Sequence, residues 1–139
     1  MIARGIKNNN PGNLRKGDDW QGLAEFQTDP DFCVFTTPLW GIRALAKVLL
    51  NYQRKHQLHT VTQIISRWAP PNENDTQSYI NAVAAHMHIL PDVPITLEDR
   101  CTLFLMVEAI IRHENGQMPY GGDIINAALT AAGIGKVGP

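Results

Sequence analysis

Residues Cys101 to Gly116 read CTLFLMVEAIIRHENG. From Cys101 to Ile111 almost every position is apolar, and Glu108 is the exception. A helix that is apolar on all faces belongs in the middle of a core. The stretch therefore predicts a buried spine helix over 96–115, started by Thr96 and Asp99 and closed by Gly116 as its C-cap. Its end carries Arg112, His113, Glu114 and Asn115 to the edge of the core.

The segments before it are also helical. After Pro38, suited to a first turn, Ile42, Leu45, Ala46, Leu49 and Tyr52 share one face. Thr60 and Gln63 form a capping box ahead of Ile64, Ile65 and Trp68, and Pro70-Pro71 stops that helix. Asp75 can cap a further helix with Tyr79, Ile80, Val83 and Ala84 inward, and a last one runs from Asp123 to about Ala132. The tail GIGKVGP is expected to fray.

The first third reads differently. Asn10-Pro11-Gly12-Asn13 is strong turn chemistry. Leu23 to Gln27, a turn at Thr28 to Asp31, and the aromatic and β-branched run Phe32 to Thr36 predict a small β-hairpin lobe leaning on the helices. The expectation is a single mainly α domain over 1–139, a helical bundle with one hairpin.

Composition narrows the function classes. The 139 residues are 44% hydrophobic and 18% charged, which suits a folded core. The formal net charge of −1 argues against nucleic acid as a partner, although Arg4, Lys7, Arg15 and Lys16 cluster near the start. Cys33 and Cys101 sit in no CxxC spacing; they read as two buried thiols, or as a disulfide in an oxidising compartment. No stretch suits membrane insertion and the N-terminus has no apolar signal region, so a site of action outside the cytoplasm would need separate delivery. His56, His59, His86, His88 and His113 form no ligand set, and no metal or cofactor is implied.

Glu114 is the residue that carries chemistry. Desolvation at the edge of the core and the negative end of a helix both disfavour a charged carboxylate, as a proton donor requires. Spacing alone fits equally a carboxylate that points into water beside Arg112 or His113.

AIIRHENG, residues 109–116, resembles the segment of lytic transglycosylases and related lysozymes in which an apolar helix ends in Glu-Ser. Asn115 stands where those families have Ser. NNNPGNLRKGDDWQGLAEF and FTTPLWGIRALAKVLLNY resemble the part of flagellar and autolysin glucosaminidases that follows their catalytic Glu; here the Glu helix comes last, as in a circular permutation. The set RGIKNNNPGNLR, RWAPPNENDT and RHENG, spanning Arg4 to Gly116, is similar to phage virion-associated proteins and secreted antibacterial effector muramidases.

The resemblance implies a lysozyme-like fold and cleavage of the β-1,4 glycan bond of peptidoglycan, with Glu114 as general acid. It also implies delivery to the periplasm or wall by a phage particle or a secretion apparatus, and an immunity protein as partner. Glu73 and Glu25 are the second-carboxylate candidates, with Asp18, Asp19, Asp29 and Asp31 also near the hairpin. Asn9, Asn10, Asn13, Trp20, His113, Asn115 and Tyr120 are the substrate-binding candidates; plain turn formation, capping and core packing compete for the same residues. Trp68 and Tyr79 read as core. The rival expectation is a non-catalytic virion structural or glycan-binding module.

Overall fold

The computed structural model describes residues 2–72 and 74–135. Among them are six α-helices: α1 Arg4–Lys7, α2 Pro38–His56, α3 Val61–Trp68, α4 Thr76–Met87, α5 Arg100–Asn115 and α6 Gly122–Ala131. Local chemistry sets most of their ends. Pro38 opens α2 where a missing N–H costs nothing. Thr60 caps α3 by accepting from the Gln63 N–H at 3.1 Å, and the Gln63 side-chain Oε1 accepts in turn from the His59 N–H at 2.8 Å. Asp75 and Asp99 cap α4 and α5 through the N–H groups of Ser78 and Thr102. Gly116 ends α5 at φ 69°.

The bundle is built around two helix pairs. α2 packs on α6, α4 packs on α5, and α3 rests on α4; α5 also touches α1, α2 and α6. Leu49, Ile64, Leu103 and Ile110 are fully buried in the shared core, each stabilising the fold by roughly 1.5–3 kcal/mol. Glu108, the polar exception in α5, pairs with His86 of α4 at 2.6 Å. Arg100 is buried at the other end of α5 and donates to the carbonyls of Asn126, Ile134 and Gly135. That ties down the start of the tail: Ile134 is buried and not frayed, while 136–139 lie outside the described residues.

Three other expectations need correction. The spine helix starts at Arg100, four residues after Thr96, because Asp99 supplies its cap. It is not buried on all sides: Cys101 is exposed, and Phe104 and Leu105 are half-buried. Only Cys33 behaves as a buried thiol.

The hairpin is absent as well; the described residues show only isolated bridges, Arg15 with Phe32 and Leu23 with Phe35. The segment Phe32–Thr36 divides its backbone hydrogen bonds between two neighbours. Cys33 and Phe35 donate to the carbonyls of Leu14 and Asn8, whereas Thr36 donates to Gly22 and Val34 accepts from Ala24. The Gln27 side chain then takes the place of a strand, donating to Ala24 and Val34 carbonyls and accepting from the Val34 N–H. Leu14, Cys33, Phe35 and Ala44 make a second small core that fastens this lobe to α2.

Asp29 closes the lobe. It accepts from the N–H groups of Asp31 and Phe32 and from Asn8, and forms a two-pronged ion pair with Arg4. The guanidinium, followed by the other donors, holds its carboxyl well below the usual carboxylate range. Such a group contributes stability above its unfolded value, and the contribution is lost as pH falls through the folded one. Wild-type melting temperature should therefore drop on acidification below about pH 4, and Asp29→Asn should flatten that limb. Superimposable pH profiles for the two proteins would show that the pair adds nothing.

Candidate functional site

Glu114 stands on the last turn of α5, half-buried, with a neutral donor on each oxygen. Asn13 donates from Nδ2 to Oε1 at 2.9 Å, and the Tyr79 hydroxyl donates to Oε2 at 2.8 Å. Tyr79 in turn accepts from the Trp68 indole N–H at 3.1 Å. Burial, followed by the adjacent Glu114, pushes the Tyr79 phenol far above its ordinary value, so it stays protonated and a donor. Among the described residues Glu114 forms no ion pair.

The carboxylate lies where two cavities adjoin. A cleft of about 470 Å³ runs over the turn residues Asn13 and Arg15, the lobe residues Asp18, Trp20 and Phe32, and the helix aromatics Tyr52 and Trp68. A smaller cavity of about 350 Å³ continues past Asp75, Ser78, Tyr79 and His113. Asn74 and Glu114 belong to both. The groove thus passes across the carboxylate, with aromatic faces and amides on its walls.

The loop that brings Asn13 here is fixed by its own asparagines. Asn10 is fully buried; it donates to the carbonyls of Leu14 and Cys33 and accepts from the Leu14 N–H, all at 3.0 Å. Asn9, at φ 53°, donates to the Phe35 carbonyl. Both hold the loop and face no cleft. Asn13, also at φ 53°, is the asparagine of the three that reaches the groove.

Of the other candidates, Trp20 lines the main cleft and His113 the smaller cavity, its ring centroid 3.8 Å from that of Tyr79. Asn115 points away from the groove and donates to the carbonyls of Pro11 and Ile111, pinning the loop to α5. Tyr120 packs against the main core. Glu25 is exposed and lies outside the lining of either cavity, and Asp18 is the acid of the lobe that lines the cleft. Glu73 lies outside the described residues.

Sequence reasoning missed Tyr79 and Trp68 as members of the site. The ring of Tyr79 is core, only 2% exposed, yet its hydroxyl reaches Glu114. A buried Tyr or Trp needs a partner for its polar tip, and that requirement was the available signal.

No helix of the described residues is long and apolar enough to cross a membrane. No protein-family model matches the chain. Protein P5 of Pseudoalteromonas phage PM2 is 43% identical over 127 residues, covering 88% of this chain and 78% of that protein. At that identity and coverage, the chain belongs to the family of this phage protein P5.

Proposed function

We propose that the chain cuts the glycan strands of bacterial peptidoglycan, with Glu114 as general acid. The observation that carries this reading is the half-buried Glu114 carboxylate at the junction of two adjoining cavities. A polymer lying in that groove has sugar rings on both sides of the acid, as cleavage within a strand requires. Trp20, Phe32 and Tyr52 offer faces for sugar rings, and Asn74 offers an amide for acetamido and hydroxyl groups.

In the reaction Glu114 gives its proton to the bridging oxygen between N-acetylmuramic acid and N-acetylglucosamine. The C1–O bond breaks and its electron pair stays on the leaving oxygen. Water or the sugar's own 6-hydroxyl then attacks C1 and returns a proton to the carboxylate. The lysozyme-like reading of the fold rests on the same feature, an apolar helix ending in the acid at a cleft. Membership of a phage protein family favours delivery to the wall in a phage particle, and a secretion apparatus with an immunity partner is the related route.

The test is the mass of fragments released from purified peptidoglycan. Anhydro ends would mean that the 6-hydroxyl attacks, and reducing ends that water does. Protein that pellets with the wall and releases nothing would replace the enzyme by a glycan-binding module.

A further inference from the structure

Two amide oxygens near the site have no donor. Asn13 Oδ1 and Asn115 Oδ1 are buried and unpartnered among the described residues. Both crowd the same spot: a Cβ added to Gly5 would lie 2.6 Å from Asn115 Oδ1, 2.8 Å from Asn13 Oδ1 and 2.9 Å from the Asn10 carbonyl oxygen. Three acceptors thus converge beside a residue with no side chain. Such an arrangement is costly and calls for a reason.

The reason lies on the other side of the Asn13 amide, where Nδ2 donates to the Glu114 carboxylate. A charge-assisted bond outweighs a neutral one, so with Glu114 ionised the amide faces its hydrogens toward the carboxylate and leaves its oxygen unpaired. Once Glu114 takes up a proton, that preference is gone. The polarity of the other oxygen does not change. Indole N–H can only donate, so Trp68 fills the acceptor position of the Tyr79 hydroxyl and the Tyr79 proton must point at Glu114 Oε2. Oε2 is an acceptor in both states, which leaves Oε1 to carry the acid proton.

We propose that Asn13 is a two-state positioning residue whose amide turns over with the protonation of Glu114. In the ionised state Nδ2 donates to Oε1. In the acid state Oδ1 accepts the Oε1 proton, and Nδ2 turns to the acceptors beside Gly5, Asn115 Oδ1 and the Asn10 carbonyl. The inference rests on the reading of Glu114 as the proton donor. It gives that proton a neutral holder that the leaving oxygen of the substrate can displace. The other ionisable groups lining the two cavities with Glu114 and Tyr79 are Arg15, Asp18, Tyr52, Asp75 and His113, and none of them hydrogen-bonds the carboxylate among the described residues.

The experiment reads the amide by NMR in the intact chain, through the nuclear Overhauser contact between the Asn13 side-chain N–H protons and the Gly5 Hα protons. In the wild type at neutral pH the contact should be weak, and it should strengthen as the sample is acidified. Glu114→Gln should lock the turned state at every pH: Tyr79 holds the new carbonyl, so the new NH2 faces Asn13 and demands Oδ1. Tyr79→Phe in that background should release the lock. A contact of equal strength in wild type and Glu114→Gln, and unmoved by acid, would overturn the proposal. Should Glu114→Gln not fold, the wild-type acid titration decides it alone. A switching amide in a protein that leaves peptidoglycan intact would uphold the rotor and remove the wall-cutting function. Glu114-dependent cutting with a fixed amide would do the reverse.

Discussion

Gly41→Ala is expected to destabilise the protein by about 2–4 kcal/mol and to displace Asn13 from Glu114. Gly41 lies in the first turns of α2, where alanine alone would favour the helix by roughly 1 kcal/mol. Its missing Cβ decides the sign instead. A methyl group there would fall inside the carbonyl oxygen of Asn9, and then meet the Asn10 Cα at 3.2 Å. These are backbone atoms and cannot swing aside. Asn9 is further held by the Phe35 and Ile6 carbonyls, so either the loop 9–13 or the start of α2 must move. Urea unfolding measures the loss. Gly121→Ala is the control, since a Cβ at that residue meets nothing within 4 Å and only the change of N-cap residue on α6 should register, at about 1 kcal/mol or less. Equal midpoints for the two variants would show that the loop does not depend on contact with α2.

Asn10→Asp should cost about 3–5 kcal/mol at neutral pH, although it changes one atom. The native amide donates to two carbonyls and accepts one N–H in a site closed to solvent. A carboxylate keeps the acceptor, loses both donors and faces two carbonyl oxygens. Its folded-state affinity for a proton is thereby raised. The penalty should be small below the unfolded Asp value, grow as pH rises from about 4, and level off once the folded carboxyl ionises. Chemical denaturation at two pH values checks it. A pH-independent penalty would mean that the site opens to water. Asn13 stays attached to this loop, so the variant should also lose its hold on Glu114.

The helices were legible because their information is local. Thr60, Asp75 and Asp99 sit one turn ahead of apolar runs, and Gly116 sits just behind one. Glu114 was singled out for the same reason: it follows a long apolar run and stands two residues ahead of the closing glycine. The lobe was misread because the aromatic and β-branched run Phe32–Thr36 specifies an extended backbone but not its partners. Those partners are split between the asparagine loop and residues 22–24, with a glutamine side chain completing the set. The asparagines were half-read. Turn chemistry was read at Asn10 to Asn13 without its backbone angles, which the structure puts at φ 53° for Asn9 and Asn13, and nothing local separates the buried amide of Asn10 from the cleft amide of Asn13. The pairing of Asn13 with Glu114 joins residues 101 positions apart, which no window on the sequence contains. Tyr79 sits on a buried helical face by its ring and in the site by its oxygen, and periodicity reports only the ring.

The most direct test of the account is purified peptidoglycan incubated with wild type and with Glu114→Gln side by side, scoring released glycan fragments and co-sedimentation of the protein. The wild type should release fragments, and the variant should release them about 10²–10⁴-fold more slowly while binding the wall equally well. Equal release by both proteins, or release by neither, would contradict Glu114 as the acid of a wall-cutting enzyme.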